Sequence, residues 1–352
     1  MSTMTATRES VRDYYGRVLQ HSSHLKTDAC CCSNRMPHHL KRIVAQLAPE
    51  ITERFYGCGS PIPAAIADCT VLDLGCGTGR DAFICAKLVG PRGRVIGLDM
   101  TEEQLRIARS QERRQAQVFG FDEPNTRFVQ GYLEDLRAAG IEDDSVDVVI
   151  SNCVINLSPD KQRVFAEILR VLKPGGELCF ADVFADRRVP TAWMQDQVLL
   201  GECLGGALYW EDLRRMLLAL GVPDVRVTAR SQVRVANHEI EQRVGATKFE
   251  SVTVRAFKLK GLEDRCEDYG QIATYLGTIP HAAHAYRLDD HHEFVRDKPM
   301  PVCGNTAAML AKTRLAAHFR VSGDRSHHFG LFPCSPAPAA GRPDGSRSGG
   351  CC

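Results

Sequence analysis

The chain has 352 residues, 44% of them hydrophobic, enough for a sizeable core in one large domain or two of ordinary size. Its 44 Lys and Arg face 43 Asp and Glu, which excludes a field that would draw the whole molecule to nucleic acid or to a membrane surface; small-molecule partners are expected. Residues Met1 to Gly16 lack the apolar stretch of a signal peptide, and no run reaches the roughly 18 apolar residues of a membrane span, so a cytoplasmic protein is expected, whose 15 cysteines are free thiols, ligands or packing residues.

Residues 1–40 read as a polar N-terminal arm or lid, broken by Cys30-Cys31-Cys32, with an amphipathic helical pattern beginning at Met36 and running to Leu47. From Thr70 the pattern becomes short β-rich runs alternating with helical stretches, the sign of βαβ units and a parallel sheet. Val71 to Leu74 predicts a first strand, Asp81 to Val89 a helix closed by Gly90, and Arg94 to Asp99 a second strand. Thr101 with Gln104 predicts a capping box for the next helix. Arg127 to Gly131 and Val146 to Ser151 predict further strands, Lys161 to Leu172 a helix, and Lys173-Pro174-Gly175-Gly176 a turn into a strand from Glu177 to Asp182. Trp210 to Leu220 predicts one more helix and Thr253 to Lys260 a final edge strand. Residues 41–260 thus form the main α/β domain, 261–334 a small appended C-terminal domain, and 335–352 a Pro/Gly/Ser-rich tail expected to be disordered.

Between the first strand and its helix, Asp73-Leu74-Gly75-Cys76-Gly77-Thr78-Gly79 is a turn whose missing side chains let a ligand approach the backbone. A glycine triplet alone fits a structural turn as well. Asp99, 20 residues beyond Gly79 at the end of the second strand, can accept hydrogen bonds from ribose hydroxyls. Asp73 opposes a pyrophosphate but suits the ammonium group of a methionine moiety, which argues against a nicotinamide dinucleotide.

The glycine loop, Asp99 and Leu172-Lys173-Pro174-Gly175-Gly176 together resemble the class I S-adenosylmethionine-dependent methyltransferases. That resemblance implies a Rossmann-like, doubly wound, mostly parallel sheet with S-adenosyl-L-methionine as cofactor. It implies donor contacts at Asp73, Gly75, Gly77, Gly79, Asp99 and Met100, with Gly131-Tyr132-Leu133-Glu134 against the adenine and Asn152 near the methionine end.

The acceptor must be read from residues at the carboxyl ends of the strands. Cys153 directly follows the fourth strand, Cys203 lies in Gly201-Glu202-Cys203-Leu204-Gly205-Gly206, and Cys58 sits in a glycine-flanked loop, whereas Cys69, Cys76, Cys85 and Cys179 read as packing thiols. No Cys-x2-Cys pair exists to suggest structural zinc. Soft thiolates also suit arsenic(III). Here Tyr14-Tyr15-Gly16, Tyr56-Gly57-Cys58-Gly59, Ser151-Asn152-Cys153-Val154-Ile155-Asn156-Leu157 and Gly201-Glu202-Cys203-Leu204-Gly205-Gly206-Ala207-Leu208-Tyr209-Trp210 resemble stretches of the arsenite methyltransferases.

That second resemblance implies an arsenic-binding insertion around 185–220, arsenic(III) held by Cys58, Cys153 and Cys203, Tyr15 beside the donor, and Cys30 pairing with Cys58 in redox turnover. It also implies arsenite or its glutathione complex as acceptor, with thioredoxin or glutathione as reductant. Cys30 takes its role from its position after Thr27-Asp28-Ala29, next to Cys31 and Cys32. His281, His284, His291 and His292 read as a solvated loop, and Cys351-Cys352 as part of the tail. The other readings weighed are methyl transfer to a small organic C, O or N acceptor and a thiol-based metalloid-binding protein.

Overall fold

The structure is a computed structural model that describes residues 36–53, 55–235 and 237–333. Tyr15, Cys30 to Cys32, most of the expected arm and the tail with Cys351 and Cys352 lie outside the described residues. Two short helices come first, α1 (His38–Val44) and α2 (Pro49–Thr52). The main domain then runs β1 (Thr70–Leu74), α3 (Arg80–Val89), β2 (Arg94–Asp99), α4 (Glu102–Phe119), β3 (Thr126–Gln130), β4 (Val146–Asn152), α5 (Lys161–Val171) and β5 (Leu172–Ala185). It continues through α6 (Gln197–Gly201), β6 (Leu208–Tyr209), α7 (Trp210–Ala219), β7 (Val225–Val233), α8 (His238–Val244) and β8 (Phe249–Phe257).

These strands form one sheet in the order β3-β2-β1-β4-β5-β8-β7, with β6 paired to the end of β5. Strands β1 to β5 are parallel, and β8 runs antiparallel to both β5 and β7. Apolar clusters cover both faces: Phe165, Ile168 and Leu213 on one, Phe83, Ile84 and Leu105 on the other. The near-continuous apolar run of β4 is the pattern such double coverage requires. The chain order reverses beside β1, so the carboxyl ends of β1 and β4 open onto the crevice where sheets of this kind bind ligands.

Three local expectations are corrected. The strand expected from Thr253 to Lys260 is β8, which starts at Phe249 and lies inside the sheet; the polar-rich Val225–Val233 takes the edge instead. Lys173-Pro174-Gly175-Gly176 is a bulge within β5, where Leu172 faces Val146 and Glu177 faces Val148. The Thr101–Gln104 capping box does not form: Thr101 makes no side-chain cap, and its backbone N–H goes to Asp99 Oδ1 at 2.8 Å.

Beyond β8 the chain forms β9 (Gln271–Tyr275), a hairpin of β10 (Ala285–Arg287) and β11 (Glu293–Val295), β12 (Pro299–Val302), α9 (Gly304–Ala311) and β13 (Phe319–Ser322). Strand β9 lies between β12 and β13. Tyr275, Phe294 and Phe319 build this unit's core, which Phe257 of β8 joins. Buried ions tie the two parts together: Glu177 of β5 pairs with Arg255 of β8 at 2.7 Å and with Arg314 after α9. Within the expected solvated histidine loop, His281, His284 and His291 are exposed, but His292 is buried against Asp289 at 2.8 Å.

Candidate active site

A cleft at the carboxyl end of β1, β2 and β4, about 1060 Å³ including its mouth, is lined by Asp73, Gly75, Gly77, Asp99, Met100, Leu133, Glu134, Asn152 and Cys153. Gly75, at φ 71° in the left-handed region, sits where any side chain would strike Val154, so the loop passes directly beneath the segment that follows β4. Gly79 does not line the cleft; it precedes α3 and packs against Phe83 and Phe128. Asp99 orders the loop through its carboxylate, which accepts from Gly77 N–H at 2.9 Å as well as from Thr101. Glu134 accepts from Ser158 Oγ at 2.6 Å.

Three carboxyls, those of Asp73, Asp81 and Asp99, crowd the lining of the cleft. Burial pushes the carboxyls of Asp73, Asp81 and Asp99 up, and Asp81 and Asp99 push Asp73 further, well above its ordinary value. Asp73 Oδ2 is buried without a hydrogen-bond partner. Arg80, 3.6 Å from Asp81, is itself stacked on the Phe55 ring. A ligand carrying positive charge would relieve this crowding, and a sulfonium joined to an ammonium group has that character. Asp81 and Thr101, both in the lining, escaped the sequence reading; the signal for Asp81 was an acidic residue in the first turn after the glycine loop.

Cys153 lines this cleft and also packs in an apolar cluster with Leu199, Leu204, Ala207, Val183 and Phe249. There Cys153 and Cys58 are joined as a disulfide, Cα to Cα 5.8 Å. The resemblance implied Cys30 as the partner of Cys58; in this structure the partner is Cys153, and Cys30 lies outside the described residues. Cys203 belongs to the same cluster, its Sγ donating to the Cys153 carbonyl at 3.4 Å. All three thiol positions are buried.

Local folding explains how residues so far apart in sequence meet. Asn152, at the end of β4, accepts from Cys58 N–H at 3.0 Å and Gly59 N–H at 3.2 Å, and donates to Gly59 O and to Asp81. Its amide, expected near the donor, is thus spent on holding the Cys58 loop. Ser251 Oγ donates to the Cys58 carbonyl at 2.6 Å. Cys203 ends the turn after α6, which starts with Asp196 capping Val198 and Leu199 N–H. Gly206 lies so close to Asn156 that an added methyl group would fall on the Asn156 carbonyl oxygen. Cys153 and Cys203 both adopt left-handed backbone, φ 58° and 61°. A non-glycine residue held there costs about 1–3 kcal/mol and points to a function for the side chain.

The sequence reading also missed Asp182. Its carboxylate and the sulfurs of Cys58 and Cys153 all lie within 4.8 Å of one another, the one three-ligand cluster of His, Cys, Asp or Glu among the described residues. Asp182 accepts from Asn156 N–H and Val183 N–H, fixing the short 3-10 turn Ile155–Leu157 that follows Cys153. Burial pushes its carboxyl up to about 7 and pushes Lys161 down to about 8. An acidic residue inside the apolar run Phe180-Ala181-Asp182-Val183, near the carboxyl end of a strand, was the available signal. Cys69, Cys76 and Cys85 belong to another apolar core, Cys76 also lining the cleft, and Cys179 is buried on β5; burial pushes all four thiols up, Cys179 to about 12.

Sheet order, glycine loop and acidic cleft define a methyltransferase fold, and a methyltransferase-domain family matches residues 66–221. An arsenite methyltransferase from Aquipseudomonas alcaligenes is 51% identical over 92% of this chain and 93% of its own length, and one from Mus musculus is 40% identical over 88% and 82%. The crystal structure of an arsenic(III) S-adenosylmethionine methyltransferase from Chlamydomonas reinhardtii matches with a TM-score of 0.81 at 50% identity, covering 84% of this chain and 99% of that one. The chain belongs to the arsenite methyltransferase family, as the cysteine-bearing motifs led one to expect.

Proposed function

We propose that the chain transfers methyl groups from S-adenosylmethionine to trivalent arsenic held by Cys58, Cys153 and Cys203. The observation that carries this reading is the double membership of Cys153, which lines the acidic cleft and packs with Cys58 and Cys203 in one buried cluster. S-adenosylmethionine, when bound, supplies a methyl carbon activated by its sulfonium charge. The chain's own part is to seat it: Asp73 and Asp81 face cationic groups, Asp99 and Met100 line the ribose side, and Leu133 and Glu134 the base.

Arsenite binds by exchange, each thiol replacing a hydroxide that leaves as water while one As–S bond forms. The apolar packing of Leu199, Leu204 and Phe249 around these cysteines keeps water from reversing that exchange. Arsenic bound to three sulfurs keeps its lone pair, which is the nucleophile, so positioning and not a general base drives the reaction. Giving up that pair oxidises arsenic. Two thiols that close as a disulfide return the electrons, and the Cys58–Cys153 disulfide is one product such a step leaves. A small thiol such as glutathione, or thioredoxin, reopens it by exchange, with Cys30 as a further exchange partner for Cys58. A reducing compartment such as the cytoplasm supplies those reductants.

The test is an assay with arsenite, a thiol reductant and labelled methyl donor, with products separated by methylation number. Methylated arsenicals are expected from the parent, and Cys153→Ser and Cys203→Ser should abolish them while leaving donor binding measurable by calorimetry. Full turnover by either variant would remove the arsenic ligand role.

A further inference from the structure

Three donors meet at Cys153, and methyl transfer accounts for only two of them. The sulfurs of Cys58 and Cys153 and a carboxylate oxygen of Asp182 lie within 4.8 Å of one another, and all three residues are buried. Each is held by bonds that do not depend on the disulfide. Cys153 N–H donates to the carbonyl of Ala181, the residue before Asp182 on β5, at 2.8 Å. The Cys58 loop is pinned by Asn152 and Ser251, and it lies so close to β5 that a methyl group added at Gly59 would strike Ala181. Asp182 accepts from the Asn156 N–H at 3.0 Å and from the Val183 N–H at 2.9 Å, one to each oxygen. Cys203 is not part of this set; its Sγ donates to the Cys153 carbonyl.

Two thiolates and a carboxylate make a mixed donor set. Arsenic(III) prefers sulfur and gains its third from Cys203, with little to gain from an oxygen. A divalent cation of borderline softness takes both kinds: zinc binds cysteine sulfur at about 2.3 Å and carboxylate oxygen at about 2.0–2.2 Å. Those bond lengths in a tetrahedron put the ligand atoms roughly 3.5–3.8 Å apart, inside the span that the three donors already occupy. Three protein ligands leave the fourth position open, the arrangement of an exchangeable zinc; the missing Cys-x2-Cys spacing speaks only against a structural one. Cys153 lines the cleft, which gives the ion a way in. Charge points the same way, since burial pushes the Asp182 carboxyl up to about 7 and a cation beside it would favour the carboxylate. Asn156, whose N–H holds that carboxylate, also keeps its Oδ1 buried without a hydrogen-bond partner, an acceptor of the kind a metal-bound water satisfies.

We propose that in the reduced chain Cys58, Cys153 and Asp182 form a site for a zinc ion, whose occupancy withholds two thiols from arsenite. The disulfide is opened first: a phosphine gives up two electrons, takes its oxygen from water and leaves as the oxide, and both sulfurs become thiols. Zinc then displaces the two thiol protons, and a third where the carboxyl is protonated. Two Zn–S bonds and one Zn–O bond form, a water keeps the fourth position, and no electrons move. Zinc and arsenic thus divide on their third ligand, zinc taking the Asp182 oxygen and arsenic the Cys203 sulfur. The consequence for arsenite rests on the function proposed above. The zinc site does not, because its test involves no methyl transfer.

The experiment uses the full chain, reduced with a phosphine that is then removed, and zinc ion alone as the probe, with alkylation of each cysteine followed peptide by peptide in a mass spectrometer. Zinc at about ten times its dissociation constant should slow labelling of both Cys58 and Cys153 roughly tenfold. Cys203→Ser should keep that protection, whereas arsenite should protect the same two thiols less well than in the parent. Asp182→Asn should weaken zinc binding at least as much as the roughly 10–100-fold that losing a supporting partner of a metal ligand costs, with arsenite protection kept. Because Asp182→Asn also disturbs two backbone hydrogen bonds, its melting and donor binding are measured alongside. Zinc that protects neither or only one of the two thiols in the parent, or that binds equally well to a folded Asp182→Asn, overturns the proposal. Should that variant not fold, zinc protection that falls in Cys203→Ser as far as arsenite protection does would overturn it as well. In the methylation assay zinc should inhibit the parent and more arsenite should relieve the inhibition; inhibition that arsenite cannot relieve would refute the shared thiols. A chain that binds zinc at these residues yet never methylates arsenite would sink the function proposed above and leave this site standing.

Discussion

Replacing Cys203 by glycine removes a thiol from a backbone position that favours glycine in the first place. At φ 61° the cysteine carries about 1–2 kcal/mol of left-handed strain, which glycine releases. Against this stand about 0.5–1 kcal/mol for the extra freedom of glycine in the unfolded chain and roughly 1 kcal/mol for the buried side chain lost. The terms nearly cancel, so Cys203→Gly should melt within about 3 °C of the parent. Cys203→Ala keeps the strain and loses the thiol, and should be roughly 1 kcal/mol less stable than the parent. Both should bind S-adenosylmethionine normally in calorimetry and fail to methylate arsenite. If Cys203→Gly turned over arsenite at the parent rate, the strained thiol would have no part in holding arsenic. If it lost donor binding instead, Cys203 would be a structural support of the cleft and the strain argument would fall.

Removing the Asn152 amide with Asn152→Ala should free the Cys58 loop, costing about 2–4 kcal/mol in urea unfolding for the hydrogen bonds left unmade and slowing arsenite turnover more than it weakens donor binding. Gly206→Ala forces a methyl group onto the Asn156 carbonyl; about 1–3 kcal/mol of destabilisation is expected, with arsenite turnover lost and donor affinity kept, and an unchanged melting curve would show that the turn yields freely. Asp73→Asn relieves a carboxyl that burial and its acidic neighbours push up. Because the folded form holds that proton more tightly than the unfolded chain, the ligand-free parent should gain stability as pH falls from neutral, the variant less so, and the variant should bind donor more weakly. Burial would raise Glu177, but Arg255 and Arg314 hold it below its ordinary value. Its stabilisation is therefore complete above the usual range of about 4–5 and is lost as pH falls through the lowered folded value; Glu177→Gln should cost about 3–5 kcal/mol at neutral pH by leaving buried arginines unpaired, and a loss well under that would mean the pairs are hydrated.

The glycine loop, the acidic residue ending the second strand and the alternation of strands and helices were legible because each is local. A turn with left-handed residues needs glycine at fixed offsets, and a strand buried on both faces needs an apolar run, whatever the rest of the chain does. Cys58, Cys153 and Cys203 could be singled out by their glycine-rich and strand-end settings, yet only folding brings them into one buried cluster, through the Asn152 amide and the close contact of Gly206 with Asn156. Strand β8 could not be told from an edge strand, because its place inside the sheet depends on β7, whose polar sequence reads as a loop. Thr101 lost its expected capping role to a carboxylate two residues away, a competition that propensity does not weigh. Asp182 was hidden for the same physical reason. A buried carboxylate takes its character from which charges, backbone N–H groups and sulfurs face it, and for Asp182 these include the Asn156 N–H, 26 residues away, and the sulfurs of Cys153 and Cys58.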